Sequence, residues 1–199
     1  VAPEALRAWR NRLRAPDGTP FPDDAALAHY VAACRETFEE SGVLLAHDRG
    51  GRPCDAECTA RLQGERDGIA ASAGAFLALL EREDLYLDVA PLVYWSHWIT
   101  PSLEPKRFDT RFFAIAVPSG QEASADRSEL TEHAWVRPVR VAEALERGEL
   151  RMVPPTLFTL EDLAESHARH GGLASMLAAE RDRPTPPVMP RIEARPDAF

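Results

Sequence analysis

The sequence contains no segment that would span a membrane and no cysteine pattern typical of a cross-linked secreted domain. No apolar run among its 199 residues approaches the roughly 20 that a helix needs to cross a bilayer, and no signal-peptide pattern is visible. Three cysteines, Cys34, Cys54 and Cys58, are an odd number, so we expect no disulfide framework and a reducing, cytoplasmic location. Without a second Cys or His pair at ligand spacing, the sequence does not predict a zinc site at Cys54 and Cys58.

Positive charge is scarce as well. The chain has 23 Lys and Arg against 32 Asp and Glu, which gives a formal net charge of -9 and an isoelectric point near 5.2. This balance argues against nucleic-acid binding through bulk electrostatics, because the phosphate backbone selects basic surfaces. A polyanionic ligand would need a local basic patch or a bridging cation.

The periodicity of apolar residues predicts a domain of mixed helices and strands. Asp23 and Asp24 are expected to cap a helix that ends at Gly42, since glycine accepts the left-handed position after a helix. The predicted helices cover about 25–41, a region up to about 83, 139–147, 155–170 and 173–181; the predicted strands cover 43–46, 85–89, 92–100, 107–117 and 133–137. This order predicts a single α/β or α+β layered domain over residues 1–182. A proline-rich tail, 183–199, should be extended or disordered.

An acidic cluster marks the end of the first long helix. Glu36, Glu39 and Glu40 stand at i, i+3 and i+4 and share one sector of the helix, nearly opposite the apolar Cys34 and Phe38. Two interpretations are open. The cluster is either a solvated helix face or a site for a hard divalent cation such as Mg²⁺, which carboxylates bind together with substrate phosphates.

Residues 35–43, RETFEESGV, resemble the second half of the Nudix box, an arginine and three glutamates followed by glycine and an apolar residue. Only Thr37 deviates, at a position that is apolar in the box. The resemblance implies a Nudix hydrolase with an α/β/α sandwich and a mixed sheet. It further implies a helix that binds Mg²⁺ or Mn²⁺ and cleaves a pyrophosphate bond in a nucleoside diphosphate derivative.

The rest of the chain resembles one branch of that family, the peroxisomal CoA-diphosphatase-like proteins and their bacterial relatives. The first half of the box is not in register, since Phe21 and Leu27 stand where the box has Gly and Glu. This branch carries a long insertion inside the box, and its later segments are similar to residues 98–101, 107–113 and 154–156. The resemblance implies that residues 1–30 are mostly a helical insertion and that the first strands of the fold are missing. An unpaired sheet edge would favour a homodimer.

The resemblance assigns roles to the box residues. The metal-binding carboxylates map onto Glu36, Glu39 and Glu40, and Glu36 would also activate or position the attacking water. Arg35 would orient Glu36. The alternative for Arg35 is a surface ion pair with Glu39, four residues further along the helix, worth only a few tenths of a kcal/mol.

Nudix sites often add a carboxylate from a later loop. Glu129 is our candidate for this metal or water contact, with Glu132 as a substitute, because both precede Trp135 in an acidic loop. The alternative is that both are ordinary polar loop residues.

Three residues are candidates for substrate binding. Arg107 and Arg111 share one face of a predicted strand, and paired guanidinium groups suit bidentate contact with phosphate. Asp109 lies between them, so a structural salt bridge is an equal alternative. Trp98 is a candidate for stacking on a base, with core packing as its alternative.

Two functions follow from these patterns. The first is a metal-dependent Nudix hydrolase acting on a small nucleoside diphosphate derivative such as CoA or acyl-CoA, with neither nucleic acid nor membrane as partner. The alternative is a non-catalytic Nudix-like domain that binds a nucleotide or a protein.

Overall fold

The structure, a computed structural model, describes residues 13, 15, 19, 21–124 and 135–191. They divide into two compact units. The box unit consists of Pro22–Leu92, 115–124 and Trp135, and the sheet unit consists of Val93–Ala114, 136–191 and the described residues before Pro22. That residues 1–182 form a single domain stays a prediction.

The box unit is mainly helical. Its elements are α1 (Asp23–Ser41), β1 (Ala46–His47), α2 (Ala56–Leu62), a 3₁₀ turn (Gln63–Glu65), α3 (Arg66–Ala71), α4 (Ala73–Arg82) and β2 (Tyr86–Leu87). The two short strands pair antiparallel, with Ala46 opposite Leu87. The long helix before Gly42 and the helical region up to about residue 83 are therefore confirmed.

Helix α1 begins at Asp23, so the two residues expected to cap it lie inside the helix. Pro22 is the N-cap, so Asp24 lies in the first turn, where a carboxylate interacts favourably with the positive end of the helix dipole. The helix ends as predicted: Gly42 has a left-handed φ of 71°, and its N–H donates to the carbonyl of Phe38.

The predicted strand 43–46 is mostly wrong. Val43, Leu44 and Leu45 are buried, but the strand begins only at Ala46. The reason is that the backbone of Leu44 bonds to a side chain instead of a strand. Its N–H donates to Oε1 of Gln121 over 2.8 Å, and its carbonyl accepts from Nε2 over 2.9 Å.

The core of the box unit joins α1, β1 and the three later helices. Its buried members are Phe38, Leu44, Ala46, Cys54, Leu62, Ile69, Phe76, Leu79 and Leu80. Because Phe38 lies on the apolar face of α1 and packs in this core, the opposite, acidic face points away from the core.

A disulfide joins Cys54 to Cys58, so the expectation of no disulfide is wrong. Asp55 is the N-cap of α2 and accepts from the N–H of Cys58 over 3.0 Å, which turns the chain back at this point. The two Cα atoms come within 5.5 Å, a separation that a disulfide spans readily. Cys34 is the remaining cysteine, free and buried.

The sheet unit combines three strands with helices. Its elements are β3 (Val93–Ile99), β4 (Asp109–Ala114), a 3₁₀ turn (Pro138–Arg140), α5 (Val141–Glu146), α6 (Pro154–His170), α7 (Leu173–Ala179) and β5 (Pro187–Val188). The strand order is β4-β3-β5, with β3 antiparallel to β4 and parallel to β5. The mixed sheet confirms the predicted α/β fold class.

The sheet unit differs from the prediction at its strands. Strand β4 is shorter than 107–117, residues 135–137 form no strand, and the proline-rich tail contributes β5. Trp95 is fully buried and packs with Val93, Met176 and Leu177. No helix in the described part of the chain combines the length and the apolar character that crossing a bilayer requires.

Candidate active site

The box glutamates lie on the last turns of α1, where two of them contact the side chain of one arginine. Arg35 donates from Nη2 to Oε1 of Glu36 and from Nη1 to Oε1 of Glu39, the latter over 2.5 Å. Glu39 is only 8% exposed, whereas Glu36 and Glu40 are exposed. The structure therefore contains both contacts expected of Arg35, the orienting one to Glu36 and the ion pair to Glu39.

These contacts test whether the side chains suit a divalent cation. Carboxylate oxygens are the donors that Mg²⁺ and Mn²⁺ prefer, and Glu36 and Glu39 already reach one shared positive group, the guanidinium of Arg35. By donor chemistry and reach, the cluster fits. Within residues 21–124 and 135–191, however, no three His, Cys, Asp or Glu side chains are grouped to hold a metal. The metal role of Glu36, Glu39 and Glu40 stays a prediction.

The deviating Thr37 is accommodated without loss of a hydrogen bond. Its hydroxyl donates to the carbonyl of Ala33 over 2.7 Å, and Ser41 repeats this pattern by donating to the carbonyl of Thr37. Because the hydroxyl is satisfied within the helix, a half-buried threonine can replace the apolar residue of the box.

Arg66 contacts the same turn of α1 and was missed in the sequence. Its Nε and Nη2 donate to the carbonyl of Glu39 over 2.9 and 2.7 Å. A signal was present: Arg66 stands four residues after Leu62 and three before Ile69, both buried. A charged residue in an apolar helical stripe must be buried as well, and Arg66 is 8% exposed.

Residues 121–124 hold the chain after Gly42. Gln121 bonds both backbone groups of Leu44 and also donates to the carbonyl of Cys54. The N–H of Ser124 donates to the carbonyl of Ser41 over 2.7 Å. A Cβ on Gly42 would lie 3.1 Å from Oγ of Ser124, so the space at this turn is filled.

Cys34 precedes the box directly but offers no nucleophile. Burial, and secondarily the negative charge of Asp88, raise the pKa of its thiol to about 12. Since the thiolate is the reactive form, the Cys34 thiol is inert near neutral pH.

The three proposed substrate-binding residues belong to the sheet unit. Trp98 stacks on Phe158 with ring centroids 5.8 Å apart. Arg111 pairs with Asp109 over 3.1 Å, and Arg107 donates to the carbonyl of Thr100. These contacts include the structural salt bridge that was the alternative for Arg111. Glu129 and Glu132 lie outside the described residues.

His97 is a buried histidine that its sequence context did not single out. Its Nε2 contacts Oδ1 of Asp109 over 2.5 Å. Burial lowers the pKa of His97, and the charge of Arg111 adds to this, while Asp109 opposes it. Burial opposes ionisation of Asp109 too, but the His97 hydrogen bond and Arg111 together hold its pKa below the usual value. These directions favour a neutral imidazole whose Nε2–H donates to an ionised Asp109 carboxylate.

The fold and the box helix together define the class of this protein. The crystal structure of a Nudix hydrolase from Alicyclobacillus acidocaldarius is similar, with a TM-score of 0.66 and 25% identity over 92% of this chain and 76% of that chain. Residues 2–163 match the family described as the NUDT19 Nudix domain. The chain belongs to this family, which confirms the resemblance first seen in residues 35–43.

Two curated relatives carry the name acyl-coenzyme A diphosphatase NUDT19. The human protein (Homo sapiens) is 32% identical over 153 residues, which cover 72% of this chain and 40% of that protein. The chicken protein (Gallus gallus) is 31% identical over 164 residues, which cover 74% of this chain and 43% of that protein. The chain spans less than half the length of these relatives.

Proposed function

We propose that this protein is a metal-dependent Nudix hydrolase that cleaves the pyrophosphate bond of CoA or acyl-CoA. The observation that carries the proposal is the convergence of Glu36 and Glu39 on Arg35 at the end of α1, within a nearly complete half box. Membership of the NUDT19 Nudix domain family supports the reaction class, and the names of the human and chicken relatives support CoA derivatives as substrates.

The proposed reaction is attack by water on one phosphorus atom of the pyrophosphate. Glu36 accepts a proton from the water, and Arg35 holds the Glu36 carboxylate in position for this transfer. The bond between the attacked phosphorus and the bridging oxygen breaks, so each product keeps one of the two phosphate groups. A divalent cation bound by Glu36, Glu39 and Glu40 would neutralise the negative charge that develops on the phosphate oxygens.

The remaining roles are proposals of the same kind. Arg107 and Arg111 would contact phosphate groups, Trp98 would stack on the base, and Glu129 would supply a further carboxylate. The net charge of -9 makes a cation especially useful for a polyanionic substrate, because the protein would otherwise repel it. Nucleic acid is not expected as a ligand for the same reason. A homodimer and a cytoplasmic location also stay predictions.

The test compares the wild type with Glu40→Gln, which removes one proposed ligand at an exposed position. CoA, ADP-ribose and NADH are incubated with Mg²⁺, Mn²⁺ or EDTA, and the two phosphorylated products are quantified by mass spectrometry. We expect metal-dependent cleavage of CoA by the wild type and a loss of more than about 100-fold in kcat/KM for Glu40→Gln, since even outer partners of metal ligands cost 10–100-fold.

The matched control is Asp24→Asn, which makes the same charge change at the exposed start of the same helix and should keep full activity. Equal turnover in Glu40→Gln would remove the site assignment. A folded wild type that cleaves no substrate under any metal condition would favour the non-catalytic binding domain instead.

A further inference from the structure

Arg66 connects the last turn of the box helix to the segment that packs beside it. We propose that Arg66 is a positioning residue of the candidate metal site, holding the backbone of Glu39 so that the neighbouring carboxylates keep their direction. The inference rests on the proposed function, because it gives Arg66 a role in metal binding at that site.

The guanidinium of Arg66 bridges two parts of the chain. Toward α1, Nε and Nη2 both donate to the carbonyl of Glu39, over 2.9 and 2.7 Å. Toward the later segment, Nη1 donates to the hydroxyl of Ser124 and Nη2 to its carbonyl, both over 3.1 Å. The N–H of Ser124 in turn donates to the carbonyl of Ser41, which closes a ring of hydrogen bonds around the end of α1.

A purely structural role explains this arrangement poorly. Among the described residues, the hydrogen-bond partners of Arg66 are two carbonyls and a hydroxyl, and no carboxylate pairs with it. Burying a charge without an opposite charge costs free energy, and an apolar residue between Leu62 and Ile69 would pack without that cost. The negative end of the α1 dipole and its acidic face partly offset it, which ties Arg66 to this helix end.

The consequence lies in the glutamates. The carbonyl of Glu39 is one of the last four of α1, which have no partner within the helix and leave its final turn free to fray. Arg66 fixes this carbonyl with two N–H groups, and thereby fixes the backbone from which the side chains of Glu39 and Glu40 project. Lysine keeps the charge but lacks the planar fork that makes the paired contact.

The experiment measures metal binding directly, without substrate. Mn²⁺ affinity is determined by calorimetry for the wild type, Arg66→Gln, Arg66→Lys and Ser124→Ala, after circular dichroism has shown that each is folded. Turnover of CoA is then measured across Mg²⁺ concentrations. Arg61→Gln is the matched control, because Arg61 is an exposed arginine on the preceding helix that pairs with Glu83.

We expect Arg66→Gln to weaken Mn²⁺ binding about 10–100-fold, the usual effect of removing a partner behind a metal ligand. The kcat for CoA should fall while KM changes by less than about twofold, since the substrate contacts are untouched, and excess metal should restore part of the rate. Arg66→Lys and Ser124→Ala should fall between wild type and Arg66→Gln, and Arg61→Gln should match the wild type.

Two results would overturn the inference in distinguishable ways. If the wild type binds Mn²⁺ and cleaves CoA while folded Arg66 variants keep the affinity of Arg61→Gln, the positioning role is wrong and the proposed function stands. If the wild type neither binds Mn²⁺ nor cleaves a substrate, the proposed function fails and the inference fails with it. Should Arg66→Gln not fold, Arg66→Lys and Ser124→Ala decide between these outcomes.

Discussion

His97 shows how one buried side chain can make the stability of the sheet unit depend on pH. The imidazole is completely buried, with Nε2 against Asp109 and its other ring nitrogen, Nδ1, without a hydrogen-bond partner in the described structure. A second proton would therefore sit in a buried environment near the positive charge of Arg111. Burial is the main cause that holds the pKa of His97 below its ordinary 6.5.

The sign of the pH dependence follows from this direction. The unfolded chain takes up a proton on His97 at higher pH than the folded protein does, so stability is fully present above about pH 6.5 and declines as the pH falls below it. We expect the free energy of unfolding, measured with urea between pH 7.5 and about pH 5, to decrease on acidification. In His97→Gln, which cannot titrate but can still donate to Asp109, the slope should be smaller; identical slopes would contradict the assignment.

Single residues also mark the limit of what the sequence can predict. The contacts of Arg35 with Glu36 and Glu39 were predicted, because all three residues lie within five positions and the box fixes their spacing. The contact of Gln121 with Leu44 could not be predicted, since the two residues are 77 positions apart and a glutamine in a loop carries no signal of burial. Arg66 was predictable in principle, because its place in an apolar stripe is local.

At the scale of elements, helix α1 ends at a glycine that has a left-handed backbone conformation and also lies in a crowded place. A Cβ on Gly42 would meet Ser124 Oγ at 3.1 Å, Gln63 Nε2 at 3.3 Å and Arg66 Nη1 at 3.4 Å. Gly171 ends α6 with the same φ of 71°, yet a Cβ there would meet no atom within 4 Å. The two glycines therefore separate the cost of backbone conformation from the cost of crowding.

We expect Gly171→Ala to lower the free energy of unfolding by about 1–2 kcal/mol, the usual cost of a left-handed residue with a Cβ. Gly42→Ala should lose more, because Ser124, Gln63 and Arg66 must shift. It should also weaken metal binding, since two of these groups hold the end of the box helix. Chemical denaturation of both variants checks the difference, and equal losses would show that the neighbours of Gly42 move without penalty.

Helix ends were easier to predict than strand ends in this chain for a physical reason. Gly42 ends a helix and Pro155 lies in the first turn of another, both through their own backbone preferences, which are local. Strand limits depend on a partner: residues 43–45 are as apolar as a strand, but the backbone of Leu44 bonds to the side chain of Gln121 instead of a neighbouring strand. The disulfide was not predicted for a similar reason, since it depends on how Asp55 turns the chain.

At the scale of the whole molecule, a two-residue part of the proline-rich tail, Pro187–Val188, belongs to the sheet. Pro187 and Val188 pair parallel with His97 and Trp98 of β3, and the Thr185 hydroxyl donates to the carbonyl of Tyr94. Nothing in the sequence of a proline-rich segment indicates such pairing. Proline is tolerated because a strand at the sheet edge has backbone N–H groups that need no partner.

Removal of β5 should destabilise the protein. A chain ending at Arg183 loses the pairing with β3, whereas a chain ending at Arg191 keeps it and serves as the reference. We expect a lower thermal unfolding midpoint for the shorter chain, with about 1 kcal/mol for each hydrogen bond lost, and more aggregation because β3 becomes an exposed edge. The same midpoint in both chains would show that β5 contributes nothing to the sheet.

The Cys54–Cys58 disulfide makes the redox conditions that this protein has met measurable, because the oxidation state of the two cysteines records them. Trypsin cleaves after Arg49 and Arg61 but not between Arg52 and Pro53, so both sulfur atoms remain within a single peptide, residues 50–61. The oxidised and reduced forms of that peptide differ in mass by two hydrogen atoms. Rapid alkylation in cell lysates followed by peptide mapping would therefore read the oxidising power of the compartment that the protein occupies, before purification can alter it.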